Sequence, residues 1–190
     1  MAAAITVALL APTAAAAATR TRASIYTPFA SSGAPTVHVV STVRGHCWIG
    51  SLAAARSDAW RCLSGNLIYD PCFSSPSASG LVLCPASGPW SPRAVEIKLT
   101  AQLPTRYANP DKPSTNGLPW ALVTSSGWKC RLDTGATTVV QGRRANYSCT
   151  GTNDWLWGAP SRRSEPWKIS VAPASANELK RRVGIRSAWF

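Results

Sequence analysis

Sulfur is the most conspicuous reactive element of this chain. Cys47, Cys62, Cys72, Cys84, Cys130 and Cys149 are even in number and none belongs to a Cys-x-x-Cys pair. That is the pattern of a disulfide framework laid down in an oxidising compartment, where sulfur serves as scaffold. Six cysteines permit about 15 pairings. Sequential closure, Cys47 with Cys62, Cys72 with Cys84 and Cys130 with Cys149, is favoured because each bond closes a short local loop.

Other uses of these residue types can be weighed one at a time. Gly45-His46-Cys47-Trp48 resembles the Gly-Ser-Cys-Trp of papain-like cysteine proteases, a family that needs a histidine downstream of its cysteine. The two histidines here, His38 and His46, both lie upstream of Cys47. The same two histidines, with cysteines lacking ligand spacing, do not make a tetrahedral zinc site. No Gly-x-Ser-x-Gly elbow and no Gly-rich phosphate loop is present. Glycoside hydrolysis would need two flanking carboxylates. Glu96 falls on an outer strand face, Asp111 in a Pro-rich loop, Asp133 and Asp154 at turns and Glu178 at a cap, and Asp58 and Asp70 are the candidates. With Arg56 and Arg61 beside them, both read first as structural ion pairs or turn caps. The sequence therefore assigns no catalytic residue, no metal site and no cofactor.

The positive signals are charge and aromaticity. Twenty Lys and Arg against eight acids give a formal charge of +12, and the chain holds nine tryptophans. A field of that sign favours anionic partners. The basic residues are scattered in pairs and short groups, which argues against sequence-specific nucleic-acid recognition. Most tryptophans should lie in the core or against disulfides. Trp155 and Trp157, at period two in a turn-rich segment beside Arg162 and Arg163, are the candidates for a binding surface. Indole faces with guanidinium groups can stack on sugar rings and hold acidic groups. Asn146-Tyr147-Ser148 fits a glycosylation acceptor but lies in an expected strand beside a cysteine.

These residues need elements to position them. Residues 1–18 are uncharged and end in Ala16-Ala17-Ala18, which reads as a secretory signal peptide. Residues 19–35 read as a flexible arm or edge segment, and 36–190 as a single disulfide-stapled domain. Its fold class is mainly β, an antiparallel sheet or sandwich with one or two short helices. Strands are expected over 36–43, 94–103, 120–123, 127–132, 145–150 and 167–172. The alternation in Ala94 to Leu103 is the clearest. Helices are expected from Ser51 to about Arg61 and after Ser175, whose capping partner is Glu178. Gly65-Asn66 is a break, Asp70-Pro71 a turn, residues 104–119 a long surface loop, and Ile185 to Phe190 an edge strand. Placing Cys130 opposite Cys149 sets Leu132 against Tyr147, and requires the further expected strand from Thr137 to Val140 to form the hairpin end or to pair elsewhere. No further stretch is apolar enough to span a membrane, so the mature chain is expected to be secreted and extracellular or envelope-associated.

The run CWxGSLAAxRSDAWRC followed by GNxIYDPCF, and the later WxCxxxTGA and GxRxNYxC, resemble a family of secreted actinobacterial cysteine- and tryptophan-rich proteins with no known activity. The likeness runs from Val43 to the C-terminal end. It implies export and paired cysteines and carries no site residues. The expectation is a non-enzymatic binding module for an anionic polymer, glycan or protein at the cell surface. The alternatives are a protein-interaction or inhibitor module, with the contact on residues 71–85 or 104–119, and a hydrolase using Asp58 and Asp70.

Overall fold

A computed structural model describes residues 20–137, 139–140, 142–172 and 181–190. Strands β1 (Arg22–Ser24), β2 (His38–Gly50), β3 (Ala59–Ser64), β4 (Leu67–Ser74), β5 (Leu81–Pro85) and β6 (Arg93–Leu99) are followed by a 3₁₀ turn at Thr105–Tyr107. Then come β7 (Ala121–Thr124), β8 (Lys129–Leu132), β9 (Val139–Val140), β10 (Arg143–Arg144), β11 (Tyr147–Thr150), β12 (Trp155–Ser161), β13 (Lys168–Ala172) and β14 (Arg182–Trp189). The β-rich, disulfide-linked class holds, but the strands form two barrels. β2 to β6 run as an antiparallel meander, and β6 closes on β2 in parallel. β7, β8, β11, β12, β13 and β14 close antiparallel when β14 pairs β7.

The first barrel is filled with sulfur. Cys47, Cys62, Cys72 and Cys84 pack with Trp60, Val82 and Ile97, and the bonded pairs are Cys47–Cys62 and Cys72–Cys84. Two-residue hairpins need positive φ, and Gly65 (φ +56°) supplies it between β3 and β4. The second barrel is aliphatic and aromatic inside, with Leu122, Tyr147, Leu156, Ile169, Val171 and Ile185 all buried. Its one cystine, Cys130–Cys149, joins β8 to β11 in the expected register, with Leu132 opposite Tyr147. Val139–Val140 pairs with Arg143–Arg144 as a separate hairpin between those strands, which leaves the cysteines on neighbours. The Tyr147 hydroxyl donates to the Pro119 carbonyl at 2.7 Å.

Several expectations are corrected. No helix forms over 51–61. Ser51 does act as a cap, its Oγ accepting from Ala53 N and Ala54 N at 3.1 and 2.8 Å, but the turn goes no further. The Asn109 amide takes the carbonyl of Ser51 at 2.9 Å, and Asp70 accepts from the Leu52 N–H. Those main-chain groups are thereby held in a loop. The helix expected after Ser175 lies outside the described residues, as does the leader. Asp70-Pro71 lies within β4, its peptide cis. β14 is no edge strand: it pairs β13, β7 and β1 along its length. Of the two readings of residues 19–35, the edge segment is the one found from Arg20 onward. β1 pairs in parallel with β14 at the edge of the sheet, and Tyr26 and Phe29 are buried.

The barrels meet along a seam of small and aromatic side chains: Ala53, Ala54, Ala59, Phe73, Trp120 and Ala121, covered by Tyr26. Tyr26 stands edge-on to Trp120, ring centroids 5.6 Å apart. Burial pushes its hydroxyl up to about 12. Arg56, 3% exposed, ties the seam together. Its guanidinium grips both oxygens of Asp58 at 2.6 Å and donates to the main-chain oxygens of Tyr26 and Phe190, each at 2.9 Å. It also lies 4.8 Å from the Phe73 ring centroid.

Candidate functional site: a basic groove between the barrels

The disulfide register in the second barrel decides what its outer face carries. With Cys130 and Cys149 facing inward, their neighbours point outward, and Arg131 stands opposite Ser148 and Lys129 opposite Thr150. The wall is therefore alternately basic and hydroxylic. Facing it from the first barrel is the β5–β6 loop, which carries Ser87, Trp90 and Ser91. Together they line a cavity of about 680 Å³. A second cavity of about 380 Å³ continues it past Arg131 and Ser148, to Arg61, Ile68, Asp70 and Asp133. The two share Arg131 and Ser148, so they form one groove.

Trp90 is held at the first end by a glycine. Gly88 has φ +119°, and a Cβ there would fall 2.4 Å from the indole ring. Only glycine tolerates both the backbone and the ring. The indole also meets Trp189 edge-on at 6.1 Å. At the other end the groove floor is crossed by two hydrogen bonds between barrels: Arg61 to Thr134 Oγ1 at 2.8 Å, and Arg131 to the Asp70 carbonyl at 3.2 Å.

Arg131 is the unusual residue. It is half-buried, and that one long bond to a carbonyl is its side chain's hydrogen bond to protein among the described residues. It forms no ion pair there with a carboxylate. Burial lowers its affinity for its proton, and the more distant charges of Asp70 and Asp133 raise it in part. Its remaining donors reach solvent, and an anion placed there would gain charge-assisted hydrogen bonds in place of water. Asp133, on the same wall, has its carboxyl raised by burial, an effect opposed by the hydrogen bond from Ser148 Oγ at 2.8 Å and by Arg144 and Arg131.

Asp58 and Asp70 take the structural roles their neighbours implied. Asp58 is bound to Arg56. Asp70 pairs with Arg61 at 2.8 Å and accepts from the Ser51 hydroxyl and from Leu52 N and Ala53 N, with its side chain 3% exposed. An oxygen pair so filled has no lone pair to offer a substrate. Cys47 is bonded to Cys62, which removes the thiolate a protease would use. Among the described residues no group of His, Cys, Asp and Glu is arranged to hold a metal.

The four residues singled out for binding are not brought together. Trp155 and Trp157 share a face of β12, but Trp157 is only 7% exposed. Arg162 is turned away toward Trp167, 4.4 Å from its centroid, and donates to the carbonyls of Thr115 and Gly117 at 2.8 and 2.6 Å. It clamps the 104–119 loop to the second barrel, so that this loop is a fastened connection between barrels. Arg163 is exposed. Asn146 uses its Oδ1 to accept from Gly158 N at 2.6 Å, in keeping with a structural place for that side chain. Sequence reasoning missed Arg131, Lys129 and Trp90. The cystine register already implied the basic and hydroxylic wall, whereas the approach of Trp90 depends on how the barrels dock.

A second concavity of about 500 Å³ opens near Leu52, Ala53, Leu118, Leu132 and Phe190, with Arg56 in its wall. Its guanidinium is committed to Asp58 and two carbonyls, so it offers an anion far less than Arg131 does. No protein-family model, no curated protein and no solved structure matches the chain. Among the described residues no helix is long and apolar enough to cross a membrane.

Proposed function

We propose that the protein is an exported, non-enzymatic binding module that holds an acidic or glycan-bearing partner at the cell surface in the groove between its barrels. The observation that carries this reading is the half-buried guanidinium of Arg131, which forms no ion pair among the described residues and is flanked by Lys129, Trp90 and a row of hydroxyls. An anion supplied from outside would fill donors that the fold leaves open. The net charge of +12 favours the encounter. Three disulfides and the uncharged Ala-rich leader support export through an oxidising compartment. The filled carboxylate of Asp70 and the pairing of Asp58 with Arg56 favour binding over hydrolysis.

The test is retention of the mature, oxidised protein on purified cell wall and on immobilised anionic glycans across a salt series. Retention should fall as salt rises, because screening weakens exposed charge contacts. Arg131→Ala should reduce retention more than Arg163→Ala, which lies outside the groove. Absence of salt-sensitive retention on every anionic surface would remove the reading.

A further inference from the structure

Resting on that reading, we infer that the groove selects a sugar chain bearing one carboxylate per residue, of the uronic acid type, and discriminates against densely sulfated or phosphorylated polymers. Three arrangements converge on this. Trp90, seated on Gly88, lines the groove and can offer an indole face to the apolar side of a pyranose ring. Ser87, Ser91, Ser148 and Thr150 surround it with hydroxyls suited to sugar hydroxyls. Arg131 lies next along the groove, and its planar fork matches a carboxylate two oxygens at a time.

The charge balance sets the selectivity. Among the residues lining the two cavities, three cations, Arg61, Lys129 and Arg131, stand with two carboxylates, Asp70 and Asp133, three minus two leaving one net positive charge, and Arg144 faces Asp133 from outside that lining. Arg61 is already paired with Asp70. A lone carboxylate therefore meets an attractive site at Lys129 and Arg131. A polyanion continuing past them meets Asp133, and like charges there oppose it.

Asp133 also gives the site a pH signature. Arg131 faces its carboxyl from β8, Arg144 from β10 and Ser148 from β11, with Arg61 and Asp70 across the groove. Protonation of Asp133 removes a negative charge beside the anion site, so binding should tighten as pH falls through that titration, until the ligand's own carboxylate takes up a proton.

The experiment is calorimetric titration of the full oxidised chain with an oligogalacturonate, the matching neutral galactan oligomer, heparin and inorganic polyphosphate. The oligogalacturonate should bind, the neutral oligomer should bind at least about tenfold more weakly, and heparin and polyphosphate should bind no more tightly per site. Trp90→Ala and Arg131→Lys should each weaken oligogalacturonate binding by about tenfold, consistent with loss of one stacking or bidentate contact. Arg163→Ala should not. Asp133→Asn should flatten the pH dependence and bind oligogalacturonate at neutral pH as tightly as the native chain does once Asp133 is protonated. Near-ultraviolet circular dichroism confirms that each variant is folded. Tighter binding of heparin or polyphosphate, with Trp90→Ala unchanged, would overturn the uronate inference and leave the anion-binding reading standing. No binding of any anionic probe would remove both.

Discussion

The two barrels solve the same problem with different materials. The first closes five strands around two cystines, Trp60 and two aliphatic side chains. The second closes six strands around a continuous set of Leu, Ile, Val and Tyr side chains and needs one cystine. A small barrel encloses little apolar volume, and cross-links compensate by restricting the unfolded chain. The lesson is that the first barrel should be redox-dependent and the second packing-dependent. The groove, built from one wall of each, should fail when either does.

The largest expected effect follows from that contrast. Replacing both cystines of the first barrel with alanines should lower stability by about 2–5 kcal/mol per bond, enough to unfold that barrel at ordinary temperature. Removing Cys130–Cys149 alone should leave a cooperative transition. Urea unfolding followed by tryptophan fluorescence distinguishes the two, and equal losses would abolish the distinction. Next in size is Arg56→Leu, which leaves the Tyr26 carbonyl without its donor, takes one of two donors from the Phe190 carbonyl and frees the partly exposed Asp58. A loss of about 2–3 kcal/mol is expected, read as a lower urea midpoint, and a loss under about 1 kcal/mol would mean the seam does not depend on that guanidinium.

How much of this was open to sequence reasoning differs along the chain. The cystine pairing and the register of Cys130 with Cys149 are local and appear in the structure, whereas the strand expected over 94–103 ends at Leu99 and leaves Ala101 exposed. The Ser51 segment misled because its capping chemistry is real, while the groups that stop the helix, Asp70 and Asn109, come from residues distant in sequence. Barrel closure is non-local too: the parallel pairing of β2 with β6 and the triple pairing of β14 leave no period in the sequence. The spacing of Trp155 and Trp157 points to a shared face, but spacing does not show that Trp157 is buried or that Arg162 turns to Trp167.

Smaller effects sharpen the second barrel's side of the contrast. Tyr147→Phe removes the bond to the Pro119 carbonyl and should cost about 1 kcal/mol, measured by thermal unfolding. Asp133 provides a pH test of sign. Its carboxyl is raised in the folded state, so between its unfolded and folded values the folded chain holds more protons. Its contribution therefore grows more favourable as pH falls through the raised value and is lost as pH rises. Asp133→Asn should shallow that slope in urea midpoints taken across the acid range, and an unchanged slope would mean Asp133 does not carry it.

The most direct test of the groove is an indole map. In a ¹⁵N-labelled sample titrated with oligogalacturonate, the Trp90 Nε1–H resonance should move first and furthest, with the Arg131 side-chain signals alongside it, while those of Trp155 and Trp157 stay in place. Movement of Trp155 or Trp157 with Trp90 silent would contradict the account and return the binding face to β12.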